Sequence, residues 1–151
     1  MDIISKLKSA GFIDLGFAKW EKGQGLQIPN LDQLQEDAPG VYVMHHEGRI
    51  QKVGKSNASL RKRLLGYRNF DTERLANSEN GTDSSSIHQR KAIEKMATNG
   101  LSVLALPAKI SADVFPPFDF EVKKTNFEPH DLEKKLIKLV KNENHPLEFG
   151  S

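Results

Sequence analysis

The sequence predicts an α+β fold: a small mixed or antiparallel three-stranded sheet flanked by helices, with an N-terminal extension. Three observations carry this. Val41-Tyr42-Val43-Met44, Arg49–Val53 and Leu101–Leu106 are short β-branched or aromatic runs bounded by glycine or proline. Ser59–Arg68, Ile87–Thr98 and Asp131–Lys141 repeat apolar residues at helical spacing. Their order is hairpin, helix, helix, strand, helix, which is the pattern of a mixed domain. Residues 1–38 are expected to pack as an extension on a single compact unit spanning 39–149.

The elements follow in chain order. In Ile3–Ala10 the residues Ile3, Ile4 and Leu7 form an apolar helical stripe, and Gly11 follows as the C-cap signal. Phe12–Trp20 alternates imperfectly and fits a strand, while Gly23, Gly25 and Pro29-Asn30 mark turns. Pro39-Gly40 opens the clearest element, the hairpin of Val41–Met44 and Arg49–Val53, joined by His46-Glu47-Gly48 and ended by Gly54. Ser59 is the expected N-cap of the next helix, with Leu60, Leu64 and Tyr67 on one face. Asn77–Ser86 has no apolar residue and reads as a surface loop. Ile87–Thr98 carries Ile87, Ala92, Ile93 and Met96 before the Asn99-Gly100 stop. Leu101–Leu106 ends at Pro107, and Pro116-Pro117 forces an irregular segment. In Asp131–Lys141 the residues Leu132, Leu136, Leu139 and Val140 fall at i, i+4, i+7 and i+8, with Pro129 near the start.

Composition excludes several classes. The 151 residues amount to one domain. No apolar run approaches the ~18 residues of a membrane helix, and the N-terminus lacks the apolar stretch of a signal peptide. The absence of cysteine excludes disulfides, thiolate zinc sites and cysteine nucleophiles, and fits a reducing, cytoplasmic location. Net charge is only +2, yet Lys52–Arg68 holds 6 of the 22 basic residues and none of the 20 acidic ones, which leaves 16 basic against 20 acidic elsewhere. Such clustering at a strand–loop–helix junction suits phosphate binding, because a helix start offers free N–H groups; the alternative is a solvated helix face. His45 and His46 are adjacent on a strand, point to opposite sides and do not chelate together.

The spacing of Gly40-Val41-Tyr42, then Lys52-Val53-Gly54, then Arg63 and Tyr67 resembles the GIY-YIG nuclease family. The first tripeptide is a common form of that family's first motif. In the second, Lys52 stands where the family usually has tyrosine. Arg63 and Tyr67 match an arginine followed four residues later by histidine or tyrosine. The stretch Leu26–Asn30, the pair Ile87-His88 and the run Asp131-Leu132-Glu133 are similar to the phage endonuclease II-type and restriction-endonuclease branches. The resemblance covers roughly Leu26 to Pro146. An asparagine usual after the last helix is not in register; Asn142 and Asn144 lie nearby.

The resemblance implies a metal-dependent endonuclease that hydrolyses phosphodiester bonds in DNA, of restriction or phage host-DNA-degrading kind. Glu133 would be the ligand of Mg²⁺ or Mn²⁺, a hard cation that accepts one carboxylate plus phosphate oxygens and waters. Arg63 would pair with the scissile phosphate. Tyr42 is the candidate general base or water-orienting group, and would need nearby cations to lower its pKa. Lys52 either lowers the Tyr42 pKa or acts as the base itself. Tyr67 divides between packing and catalysis. Lys55, Ser56, Arg61, Lys62, Arg68 and His88 are the expected nucleic-acid contacts, and His130 could approach the Glu133 site. The implied partner is DNA, with no membrane, and two copies of the chain would serve double-strand cleavage. The alternatives are a DNA-gripping module with impaired catalysis and an RNA-directed or effector nuclease of the same fold.

Overall fold

The computed structural model describes residues 2–21, 24–69, 100–114 and 119–142. The expected helix Ile87–Thr98, the loop Asn77–Ser86, Pro116-Pro117 and His88 lie outside the described residues.

The chain begins with helix α1, Ile3–Ser9, started by Asp2, whose carboxylate accepts a hydrogen bond from the Ser5 amide at 2.7 Å. Strands β1 (Ile13–Glu21) and β2 (Gly25–Gln27) follow, then a short 3-10 turn at Leu31–Gln33. Strands β3 (Gly40–His46) and β4 (Arg49–Ser56) form the hairpin. Its connection has positive φ at both Glu47 and Gly48, the geometry that matches strand twist in two-residue hairpin loops. Helix α2 is short, Leu60–Leu65, and runs into a 3-10 turn over Gly66–Asn69. Beyond it come β5 (Leu101–Pro107), β6 (Ile110–Val114), β7 (Glu121–Thr125) and helix α3 (Pro129–Asn142).

The α+β class is as expected, but the main sheet has five strands rather than three, in the order β2-β1-β5-β3-β4 with every pairing antiparallel. The two additional strands come from residues 1–38. Imperfect alternation in Phe12–Trp20 has a cause: a register shift between Asp14 and Gly16 interrupts the pairing with β5. Strands β6 and β7 form a separate two-stranded ribbon. Its alternation at Ile110, Ala112 and Val114 was present in the sequence but is short. β4 also continues past Gly54 to Ser56, because that glycine sits inside the ladder opposite Tyr42.

Strand alternation divides the core. Val41, Val43, Ile50, Val53 and Leu104 pack on one side with α1 residues Ile3, Ile4 and Leu7 and α3 residues Leu136 and Val140. Tyr42, Met44, Val103 and Ala105 face the other layer, with Leu26, Ile28, Leu31, Leu60, Leu64 and Tyr67. The apolar part of Leu26–Asn30 therefore serves as core packing beside α2. β5 and β4 cover both edges of β3 and the two core layers cover its faces, so Val41–Met44 is fully buried.

Candidate active site

Tyr42 has no exposed surface, and its hydroxyl lies 2.8 Å from that of Tyr67. The two rings meet edge to face, 6.3 Å between centroids. Space for the Tyr42 ring comes from Gly54, its register partner on β4, where any Cβ would overlap the phenol. Gly40, the other motif glycine, is held closely against the Leu106 carbonyl. Both glycines are thus needed for close approach rather than for turns. Replacing Gly54 with alanine is expected to destabilise the protein by about 1–3 kcal/mol, as overpacking of a full core does. Urea unfolding measures this, and an unchanged midpoint would show that the ring can move aside freely.

Lys52 is only 5% exposed. It pairs with Met44, whereas Ile50 pairs with His45, so Gln51 is an extra residue in β4. This bulge lets Ile50 enter the core on the α1/α3 side while Lys52 shares the Tyr42 side. Burial is the main cause pushing the Lys52 pKa below its usual value; the Arg63 charge pushes the same way and Glu133 opposes both. The pKa of Tyr42 moves the other way. Burial and the Tyr67 hydroxyl raise it well above 10, against a lowering pull from the charge and hydrogen bond of Arg63. The expected activation of Tyr42 by nearby cations is therefore present but outweighed, and Tyr42 is a neutral phenol at neutral pH.

A lowered lysine pKa means that the fold disfavours the charged ammonium. Its destabilising effect is complete below the folded pKa and is relieved as pH rises towards 10.5. Lys52→Met, similar in length and apolar, is expected to raise Tm at pH 7, with a smaller gain at pH 9, and to depress any catalysis. Thermal unfolding at the two pH values checks this; a lower Tm for the variant at pH 7 would contradict it.

Arg63 is an exposed residue of α2 whose positive charge acts on the buried Tyr42 hydroxyl. The start of this helix is tightly built. Ser56 Oγ accepts from the Ala58 and Ser59 amides at 3.3 and 3.1 Å. Ser59 Oγ accepts from the Lys62 amide and donates to the Glu36 carbonyl, while the Leu60 amide donates to the Ala38 carbonyl. Those amides are engaged within the protein, so they are not offered to the expected phosphate, and side chains carry most of the positive charge available to it. Of the other expected contacts, Lys55 is half-buried, Lys62 is exposed, and Arg61 lies 3.9 Å from the Glu36 carboxylate. Arg68 falls in the 3-10 turn after α2.

Glu133 is 6% exposed, on the first turns of α3, the helix that packs against edge strand β4 from the other layer. Its carboxylate is near enough to act electrostatically on Lys52. Among the described residues no group of three His, Asp or Glu side chains gathers to hold a metal. The buried carboxylate of Glu133 fits Mg²⁺ or Mn²⁺, because such ions complete their shell with waters and phosphate oxygens. His130 is exposed, one turn before Glu133. A polar cleft of about 500 Å³ opens beside this end of α3, lined by Pro39, Asn57, Lys124, Thr125, Glu128 and Pro129. Nothing in the motif spacing had pointed to it.

The structure links Tyr42, Tyr67, Arg63, Lys52 and Glu133, from five elements of the chain: Tyr67 and Arg63 act on Tyr42, and Arg63 and Glu133 act on Lys52. Among the described residues no helix is long and apolar enough to cross a membrane.

Neither a protein-family model nor a curated protein matches the chain. Solved structures share its fold. A restriction endonuclease, HPY188I, in complex with product DNA aligns with a TM-score of 0.58 and 19% identity, covering 100% of this chain and 87% of its own. A mutant of bacteriophage T4 EndoII aligns with a TM-score of 0.55 and 15% identity, covering 94% of this chain and 96% of its own.

Proposed function

We propose that this protein is a metal-dependent endonuclease of GIY-YIG type that hydrolyses phosphodiester bonds in DNA. The observation that carries the proposal is the convergence of a buried lysine of lowered pKa, an arginine, a hydrogen-bonded tyrosine pair and a buried carboxylate. Its fold likeness to a DNA-bound restriction endonuclease supports DNA as the substrate.

The residues divide the work by their chemistry. Arg63 is permanently charged and matches two phosphate oxygens, so it binds the scissile phosphate and steadies the charge that grows there. Lys52, biased towards its neutral form, is the better base of the two candidates and takes a proton from the attacking water. Tyr67, its hydroxyl held by that of buried Tyr42, orients that water. Glu133 would hold one divalent ion, which when bound supplies positive charge beside the phosphate and leaving oxygen. Lys55, Ser56, Arg61, Lys62, Arg68 and His88 are assigned to the flanking DNA.

Supercoiled plasmid incubated with Mg²⁺ tests this. Nicked or linear product that vanishes with a chelator is expected; linear product without a nicked intermediate indicates two copies acting together. DNA binding without metal-dependent cleavage would instead establish the impaired-catalysis alternative. Cleavage of RNA but not DNA would overturn the substrate.

A further inference from the structure

Helix α3 carries a second basic feature that the Lys52–Arg68 cluster does not include. Lys134, Lys135, Lys138 and Lys141 are all exposed. At about 100° per residue, Glu133 lies within the buried face, one residue position from its border at Ile137. Buried Pro129, Leu136 and Val140 lie within about 60° on one side of Glu133. On the other side lies partly buried Ile137, at about 40°, and beyond it, out to about 140°, fall His130, Lys141, Lys134 and Lys138, all exposed. The outermost face carries Asp131, Asn142 and Lys135, and the opposite flank carries Leu132 and Leu139. Positive charge is therefore concentrated on one flank, beyond Ile137 on the Glu133 side, while the opposite flank is apolar. The helix dipole accounts for Lys141 in the last turn, but not for Lys134 and Lys138 farther in.

We propose that this flank is a track for the DNA backbone, with Lys134, Lys138 and Lys141 contacting phosphates of the strand that leads away from the cleaved bond. It rests on the proposed nuclease function and adds the direction in which the DNA runs. From Lys134 to Lys141 the helix rises about 10 Å, the axial length of about three nucleotides of one strand. Three flexible ammonium groups at that spacing match a row of phosphates and read no bases, so the track contributes affinity and orientation rather than sequence choice.

The test is a salt titration of binding to a labelled DNA duplex, without divalent metal so that the strand stays whole. The variant carries Lys134→Ser, Lys138→Ser and Lys141→Ser together, and Lys135→Ser is the comparison on the same helix. The triple variant is expected to bind about tenfold more weakly or worse, with the slope of log affinity against log salt reduced by about 3. Lys135→Ser is expected to leave that slope unchanged. A folded triple variant, by circular dichroism, that keeps the native slope would overturn the track, as would an equal loss in Lys135→Ser. If the unmutated protein cuts DNA in that case, the nuclease assignment stands and only the track fails. If the unmutated protein neither binds nor cuts DNA, both fail.

Discussion

Arg63→Ala is expected to cut phosphodiester cleavage about 10³-fold, because it removes a preorganised cation from the place where phosphate charge develops. The protein should stay folded. Arg63 is exposed, and alanine is the best helix former for a site in α2. The loss has a second signature. Arg63 lowers the pKa of Lys52, so removing it raises that pKa, and the residual activity should shift to higher pH. Arg63→Lys keeps the charge but loses the two-pronged pairing, and should retain the native pH profile at reduced rate. A folded Arg63→Ala protein that cuts plasmid at the native rate would remove Arg63 from the site.

Glu133→Gln is expected to match that loss, about 10³-fold, for a different reason: it removes the carboxylate proposed to hold a divalent cation. Glutamine preserves the volume of a buried side chain, so the unfolding midpoint should stay close to native. The pH signature is reversed. Glu133 raises the Lys52 pKa, so without it that pKa falls and the residual activity should shift to lower pH. Opposite shifts in the two variants would place Lys52 between both charges as the titrating group. Shifts in the same direction would assign the pH dependence to another group. Cleavage by Glu133→Gln that still rises with Mg²⁺ at the native concentration would move the metal site elsewhere.

The legible parts of the fold are those governed by local periodicity. The hairpin of β3 and β4 and the helix α3 were recoverable because short-range spacing and turn chemistry define them. Strands β6 and β7 escaped because five residues of alternation beside a double proline give a weak local signal, and their pairing is a contact between separate segments. β4 was cut short at Gly54 for a related reason. A glycine that looks like a stop is in fact the space beneath the ring of Tyr42.

The site divides in the same way. The resemblance of the motifs to the GIY-YIG family picked out Tyr42, Lys52, Arg63, Tyr67 and Glu133, and residue types and spacing located the densest positive charge. They left open whether Tyr42 or Lys52 is the base, since a pKa depends on burial and on neighbours distant in the chain. Tertiary structure sets the two groups apart: burial beside Tyr67 raises the Tyr42 pKa, and burial beside Arg63 lowers that of Lys52, which is the asymmetry that supports Lys52 as the proposed base. It also decided, through one extra residue at Gln51, that Lys52 lies on the Tyr42 side of the sheet at all. A side chain's identity is written in the sequence, whereas its electrostatic environment is set only when strands β3 and β4 and helices α2 and α3 pack together.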